Sequence, residues 1–333
     1  MHPIETKNSP QTPQKPSIRI DYEVEIERLR TSMNAVILAH YYQEDDIQDL
    51  ADYVGDSLEL ARRAAETNAD VIVFCGVKFM AEGAKILNPE KLVLIPDLKA
   101  GCSLEDSCPP EAFRKFKEQH PDHIVVTYIN CSAEVKALSD IIVTSSNAEA
   151  IINQLPREQK IIFAPDKYLG SYLNKKTGRN MLLWNGSCIV HERFSEQELI
   201  KLKTRHAAAH IIAHPECPEH LLRHAGHIGS TSSLIRYAEQ HPGQEFLVLT
   251  EPGILHEMKK RSPGSIFYDV PGISGGACIS CNACPYMKLN TLEKIYNCML
   301  TRTPALELSP ELISAAKKPL VRMLEMSKTI GRN

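Results

Sequence analysis

Short apolar runs alternate with amphipathic stretches along the chain from Ile18 onward. Most of the runs are rich in β-branched residues and apolar at every position, which is typical of parallel strands buried on both faces. The stretches 58–67, 148–155 and 234–240 carry apolar residues at helical spacing. This alternation predicts an α/β fold in which helices connect parallel strands. The predicted strands are residues 35–39, 71–74, 92–95, 124–127, 141–144, 160–164, 210–213 and 246–250.

The pattern also repeats. A strand end, a Gly/Ser/Thr loop, a helix and a further strand occur three times in the same order, and Ser57, Ser145 and Thr231 of the loops lie 88 and 86 residues apart. The strand ends that precede them, AHYYQ, TYINC and AHPEC, show the same two spacings. Because two separate features share these spacings, we predict three copies of one α/β unit.

The repeat defines the expected domain organisation. Residues 1–17 contain four prolines and no apolar periodicity, so we expect a disordered tail there. The first unit is expected at 18–103, the second at 104–190 and the third at 191–284. The C-terminal helical region 285–333 is expected to complete the first unit.

A threefold arrangement brings the carboxyl ends of three sheets to one place. Parallel α/β sheets bind ligands beyond those ends, so the three units are expected to share one cavity. Ser57, Ser145 and Thr231 would lie near helix N-termini around it, where free N–H groups and the helix dipole favour anions. Simple N-capping explains each residue taken alone. Three residues at matching spacing favour a site for a ligand set that carries several carboxylates or phosphates.

Charge and composition exclude several classes of protein. Lys and Arg number 38 against 41 Asp and Glu, so the formal net charge of −3 gives no indication of nucleic-acid binding. The longest mostly apolar uncharged runs, such as 124–133, are far shorter than the roughly 18 residues of a membrane helix. No secretory signal opens the chain, and we expect a cytoplasmic protein. Ten cysteines in such a chain indicate a metal site or catalysis rather than disulfides.

Three cysteines match the repeat. Cys102 and Cys188 lie in glycine-containing loops 86 residues apart, and Cys284 follows after 96 residues, at the end of a C-x2-C-x2-C-P run that begins at Cys278 and includes Cys281. This run resembles part of a bacterial ferredoxin motif but lacks the further cysteines of that motif. One cysteine per unit, converging on one axis, leaves one iron of a [4Fe–4S] cluster without a protein ligand and free to bind substrate. Zinc with three cysteines and a water is the alternative.

Several motifs together resemble the quinolinate synthase family, and the resemblance extends from about Ile18 to the C-terminus. The motifs are HYYQ at 40–43, GDS at 55–57, GCSL at 101–104, PDKYLG at 165–170, GSCIVH at 186–191, HPE at 214–216, GSTS at 229–232 and CNACP at 281–285. The resemblance implies a fold of three homologous three-layer α/β/α units with short parallel sheets about a pseudo-threefold axis. It also implies a [4Fe–4S] cluster held by one cysteine from each unit. It further implies a transferase of NAD biosynthesis that condenses iminoaspartate with dihydroxyacetone phosphate to give quinolinate, phosphate and water.

The resemblance also implies the site residues. The expected cluster ligands are Cys102, Cys188 and Cys284. The expected substrate-site residues are His40, Tyr42, Ser57, Tyr128, Asn130, Ser145, His191, His214, Glu216 and Thr231. Among these, side chains suited to proton transfer form the catalytic group, with Glu216 as general base, Tyr42 and Tyr128 in enolisation and proton relay, and His191 and His214 as donors or shuttles. His40, Ser57, Asn130, Ser145 and Thr231 form the substrate-binding group. Because iminoaspartate is unstable in water, a functional link to an aspartate-oxidising enzyme is implied.

Two other functions remain as alternatives. A [4Fe–4S] hydro-lyase acting on a small dicarboxylate would use the same open iron without a triose phosphate. A non-enzymatic electron-transfer or iron-sensing protein would instead use the run from Cys278 to Cys284. Replacement of Cys278 or Cys281 would then remove the cluster, whereas the repeat predicts that replacement of Cys102 or Cys188 does so.

Overall fold

Residues 20–273 and 282–328 are described in a computed structural model of the chain. They form three parallel four-stranded sheets in which the second strand along the chain lies at one edge, followed by the first, third and fourth. The identical strand order in all three sheets confirms the α/β fold and the threefold repeat.

The first sheet is the most deeply buried at its centre. All six residues of its first strand are buried, and that strand pairs in parallel with the second and third strands. The strands are β1 (Ala35–His40), β2 (Tyr53–Gly55), β3 (Val71–Cys75) and β4 (Leu92–Leu94). The helices of this part are α1 (Tyr22–Ser32), α2 (Asp45–Leu50), α3 (Ser57–Glu66), α4 (Lys78–Leu87) and α5 (Ser103–Asp106).

The second and third sheets repeat this arrangement. The second contains β5 (Ile124–Tyr128), β6 (Ile141–Val143), β7 (Ile161–Ala164) and β8 (Leu182–Leu183), with helices α6 (Pro110–Glu118), α7 (Ala133–Ala137), α8 (Ala148–Gln154) and α9 (Lys167–Thr177). The third contains β9 (His210–Ala213), β10 (His227–Ile228), β11 (Glu245–Leu249) and β12 (Ile266–Asp269), with helices α10 (Glu196–Arg205), α11 (Glu219–Leu222), α12 (Thr231–Gln240) and α13 (Ile254–Arg261).

The C-terminal helices pack onto two different units. Helix α14 (Leu292–Thr301) lies against α1, whereas α15 (Pro310–Ser327) lies against α4 of the first unit and against α7 and β6 of the second. The expected completion of the first unit and the domain boundaries stay predictions. Within the C-terminal helical region, a 3₁₀ turn at Met287–Leu289 comes first and α14 begins at Leu292.

Short polar side chains fix where many of the helices begin. Asp56 accepts hydrogen bonds from two backbone N–H groups of α3, and Glu59 completes a capping box. Ser230 caps α12 in the same way through the backbone N–H of Ser233. In the described ranges no helix is both long and apolar enough to cross a membrane.

Candidate active site

The carboxyl ends of β1, β5 and β9 point into one cavity. This cavity is lined by the last strand residue in the first and second units and by the residue directly after the strand in the third. In each unit the residue two positions further on lines it as well. The residue types at these equivalent positions differ between the units. The three pairs are His40 with Tyr42, Tyr128 with Asn130, and His214 with Glu216.

The two histidines at these equivalent positions make the same contact with their own backbone. Nδ1 of His40 accepts the backbone N–H of Tyr42 at 3.1 Å, and Nδ1 of His214 accepts that of Glu216 at 3.4 Å. Burial lowers the pKa of His40 to about 4 and that of His214 to about 3. Both imidazoles are therefore neutral near pH 7 and carry their proton on Nε2, as hydrogen-bond donors.

Glu216 is the centre of a buried hydrogen-bond network. Its Oε1 accepts the hydroxyl of Tyr128 at 2.6 Å, and its Oε2 lies 2.9 Å from Nδ1 of His191, whose ring stacks on that of His214 at 4.7 Å. Burial raises the pKa of the Glu216 carboxyl, but the two histidines and the hydrogen bonds outweigh burial and lower it to about 2. Burial and, as the second cause, the negative charge of Glu216 raise the pKa of Tyr128 well above its usual value. The network thus contains an ionised carboxylate beside a protonated phenol.

Thr250 joins this network to Tyr42. Its Oγ1 lies 2.7 Å from the hydroxyl of Tyr42 and 3.0 Å from Nε2 of His191. Burial raises the pKa of Tyr42 well above its usual value. A continuous series of hydrogen bonds consequently connects Tyr42, Thr250, His191, Glu216 and Tyr128 across the cavity.

The three cysteines occupy equivalent turns. In each turn, the backbone N–H groups of the residues two and three positions after the cysteine donate to its sulfur. The backbone carbonyl of the cysteine accepts the N–H of the residue four positions after it, at 2.9–3.2 Å. Burial raises the pKa of all three thiols. The residues whose backbone N–H groups donate to the sulfur are Leu104 and Glu105 for Cys102, Val190 and His191 for Cys188, and Tyr286 and Met287 for Cys284.

These turns give a donor set that suits a metal cluster. All three free thiols line the same cavity, and backbone N–H groups at the start of a helical turn stabilise a thiolate. Three sulfur donors favour iron–sulfur or zinc chemistry over hard cations. Cys188, His191 and Glu216 also bring one potential ligand atom each within 4.8 Å of one another. The alternative of a single metal ion therefore has a geometric basis as well.

A buried carboxylate supports the third cysteine turn. Glu251 accepts the backbone N–H of Cys284 at 3.1 Å and that of Gly253 at 2.7 Å, and Lys288 lies 3.6 Å from it. Burial raises the pKa of Glu251 to about 7. The turn around Cys284 is thereby fixed to the end of β11 by hydrogen bonds.

The three hydroxyl residues of the repeat line the cavity, but not in identical settings. Ser57 and Thr231 are the first residues of α3 and α12. Ser145 lies in the turn before α8, which begins three residues later because the Asn147 side chain accepts the backbone N–H of Thr144. Ser57 and Thr231 thus lie at a helix N-terminus and Ser145 lies three residues before one, and the binding of anions at these positions stays a prediction.

Every site residue expected from the sequence borders this one cavity. It is lined by His40, Tyr42, Ser57, Cys102, Tyr128, Asn130, Ser145, Cys188, His191, His214, Glu216, Thr231 and Cys284. The catalytic, binding and ligand roles of these residues stay predictions. Cys278 and Cys281 lie outside the described residues.

Sequence reasoning missed several polar residues of this site, three of which bear on its hydrogen-bond network. Asp56 and Glu251 line the cavity, and Thr250 lies behind it between two of the lining side chains. A signal existed for two of them, because Thr250 and Glu251 are polar residues directly after a buried strand, at the edge where ligands bind. Asp56 stands in the GDS motif, but nothing in the sequence indicated its partners.

Comparison with known proteins agrees with this site. A family model described as "Quinolinate synthetase A protein" matches residues 24–325. A quinolinate synthase of Nostoc sp. is 61% identical over 308 residues, covering 92% of this chain and 94% of the relative. The quinolinate synthase of Chloroherpeton thalassium is 61% identical over 310 residues (93% and 96%), and that of Ehrlichia chaffeensis 60% over 303 residues (91% and 96%). The chain belongs to the quinolinate synthase family.

Proposed function

We propose that this enzyme condenses iminoaspartate with dihydroxyacetone phosphate, yielding quinolinate, one phosphate and two water molecules. Family membership supports the product, since the relatives carry that name. The observation that carries the proposal is the buried network around Glu216. It holds a carboxylate, two phenols and two imidazoles around one cavity, and the condensation needs several proton transfers.

We propose that Cys102, Cys188 and Cys284 hold a [4Fe–4S] cluster. The residues fit this group, because three partly buried free thiols, each with backbone donors from the same two relative positions, border one cavity. Three protein ligands for four irons leave one iron open. When bound, the cluster supplies a Lewis-acidic iron for an oxygen of the substrate.

Glu216 is the proposed general base. Its pKa of about 2 keeps the carboxylate ionised at neutral pH, and Tyr128 donates to one of its oxygens at 2.6 Å. A proton removed from carbon next to a carbonyl would pass to this carboxylate. The raised pKa of Tyr42 and of Tyr128 keeps both phenols protonated, so each can donate to an oxygen that gains charge.

The remaining lining residues are proposed to bind and orient the two substrates. Iminoaspartate brings two carboxylates and dihydroxyacetone phosphate brings a phosphate, which suit the hydroxyls of Ser57, Ser145 and Thr231. Nε2–H of the neutral His40 offers a further donor. The side-chain oxygen of Asn130 is buried and has no hydrogen-bond partner among the described residues, as expected of a group that orients a ligand.

The test is an anaerobic assay of cluster-reconstituted protein. Oxaloacetate with ammonia supplies iminoaspartate, dihydroxyacetone phosphate is added, and quinolinate is detected by mass. We expect quinolinate only when both substrates and the cluster are present. Absence of quinolinate from protein that holds about four irons per chain would reject the proposal and favour a hydro-lyase acting on a small dicarboxylate.

An upstream enzyme is also proposed. Iminoaspartate hydrolyses in water, so an aspartate-oxidising enzyme must produce it where this enzyme acts. A coupled assay that replaces oxaloacetate and ammonia with aspartate and such an oxidase should also yield quinolinate.

A further inference from the structure

Asp56 lies where the three units meet. It is 4% exposed and caps α3, and its Oδ1 accepts the backbone N–H groups of Leu58 and Glu59 at 3.0 and 3.1 Å. Its Oδ2 accepts the hydroxyls of Ser146 at 2.5 Å and Ser232 at 2.8 Å. The first serine lies in the second unit and the other in the third, so one buried carboxylate connects all three units.

These contacts lie directly beside the hydroxyls that line the cavity. Asp56 and its two serine partners are each the sequence neighbour of one of the residues Ser57, Ser145 and Thr231. Adjacent residues share a rigid peptide plane, so a change at one of these contacts moves the neighbouring hydroxyl. The mutual distances of the three cavity hydroxyls consequently depend on this one carboxylate.

A second carboxylate strengthens the connection between the first and third units. Oε2 of Glu59 accepts the hydroxyl of Ser232 at 2.9 Å, the backbone N–H of Asp56 at 3.1 Å and the hydroxyl of Tyr41 at 3.2 Å. The Ser232 hydroxyl has a single hydrogen, which the two carboxylates share, and the other groups bonded to them are also hydrogen-bond donors. Buried charged hydrogen bonds of this kind are among the stronger ones in proteins.

We propose that Asp56 is a positioning residue that joins the three units so that Ser57, Ser145 and Thr231 hold the distances required by the anionic groups of the substrates. It acts through these hydroxyls and not on the reacting atoms. This inference rests on the proposed function, which supplies the anionic substrates.

The test compares variants of the cluster-reconstituted holoenzyme. In Asp56→Ala we expect KM for dihydroxyacetone phosphate to rise about tenfold or more, with a smaller change in kcat, because hydrogen bonds to a charged group are lost. In Asp56→Asn the side-chain oxygen still caps α3, and the amide offers two N–H groups to the two serine oxygens. We therefore expect KM of that variant to stay within about threefold of the wild-type value.

A second set of variants leaves Asp56 in place. The double variant Ser146→Ala with Ser232→Ala should raise KM as Asp56→Ala does, and adding it to Asp56→Ala should change KM little further. This set also decides the matter if Asp56→Ala does not fold. The matched control is Asp21→Ala, which removes the cap of α1 and its 3.2 Å contact with the backbone N–H of Val24. It should lower the melting temperature and leave KM unchanged.

The outcomes separate positioning from stability. A lowered melting temperature with unchanged KM in Asp56→Ala and in the double serine variant would overturn the positioning role. So would a KM rise of equal size in Asp21→Ala. A wild-type enzyme that forms no quinolinate would overturn the proposed function and this proposal with it, whereas unchanged KM in active variants overturns this proposal alone.

Discussion

The cysteine turns and the strand ends are both present three times, but only the turns are alike. Each turn presents one sulfur with backbone donors from the same two relative positions. Each strand end presents a different pair: His40 with Tyr42, Tyr128 with Asn130, or His214 with Glu216. The proposed cluster at the meeting point of three units would need three equal donors. The two proposed substrates differ and would need unlike groups around them, so the difference between the two regions matches the two proposed tasks.

The same division extends to the neighbouring strand in each unit. In register with β1, β5 and β9, the strands β3, β7 and β11 end at Cys75, Ala164 and Leu249. The next residues are Gly76, Pro165 and Thr250. Only the last of these three carries a hydroxyl, and it lies between Tyr42 and His191. The third unit therefore contains most of the groups that are proposed to transfer protons, although the three backbones are alike.

The largest expected effect tests whether the three cysteine turns are equivalent in holding the proposed cluster. Cys102→Ala, Cys188→Ala and Cys284→Ala should each lose the cluster and reduce quinolinate formation below detection, because two sulfurs cannot hold a four-iron cluster with an open site. Iron and sulfide per chain and the visible absorbance measure this loss. Unequal losses among the three variants would show that the turns are not equivalent.

Other cysteines provide the controls for that experiment. Cys298→Ala, in α14 and buried, should keep the cluster. Cys278→Ala and Cys281→Ala should keep it as well. A cluster that is lost in these two variants and retained in Cys102→Ala would instead support an electron-transfer or sensing protein.

The second largest expected effect tests whether the different side chains at the three strand ends have different roles. Glu216→Gln should lower kcat by roughly 10²–10⁴-fold with the cluster retained, because an amide cannot accept the substrate proton. Steady-state kinetics and iron content together check this result. Glu257→Gln is a suitable control, since Glu257 is also buried but lies on α13 and not among the lining residues. Full activity of Glu216→Gln would exclude the base role.

The third effect concerns Thr250. Thr250→Val keeps the volume of the side chain and removes the hydroxyl that lies between Tyr42 and His191. We expect kcat to fall about tenfold with little change in KM, because the two buried partners lose a shared hydrogen bond. Thr250→Ser should restore most of the activity. A serine variant as slow as the valine variant would show that the methyl group, not the hydroxyl, matters.

Sequence patterns predicted the central strands well and the edge strands poorly. The predicted run 124–127 differs from β5 by one residue, and 71–74 differs from β3 by one. The edge strand β8 has only two residues, too few for any periodicity, and was missed, whereas β10, of the same length, was predicted only as the strand end that opens the third repeat. Burial makes a strand recognisable, so the exposed edges of the three sheets give the weakest signal.

The site divides in a similar way. Spacing indicated Cys102 and Cys188, since both follow the repeat period. The partners of Asp56 could not be predicted, because Ser146 and Ser232 reach it only when three units close about one axis. A repeat period identifies equivalent positions within the units. It does not identify contacts between non-equivalent positions of different units.

The smallest expected effect concerns the pKa of His40, which occupies the position equivalent to His214 in the third unit. Burial holds the pKa of His40 at about 4 in the folded protein, against an ordinary value of 6.5. Above pH 6.5 both the folded and the unfolded states carry a neutral imidazole at this position. Between pH 6.5 and about 4 the unfolded chain binds a proton that the folded chain does not. The free energy of unfolding should therefore fall as the pH decreases, by up to about 1.4 kcal/mol per pH unit from this residue.

His40→Asn isolates that contribution, because the asparagine oxygen can still accept the backbone N–H of Tyr42 while the side chain no longer titrates. We expect the variant to be less stable than wild type at pH 7 but to lose less stability between about pH 7 and pH 5.5. His220→Asn, at an exposed position on α11, is the matched control and should follow the wild-type curve. Urea unfolding of the three proteins at each pH measures the slopes. Equal slopes for His40→Asn and wild type would mean that burial does not lower the pKa of His40 in the folded protein.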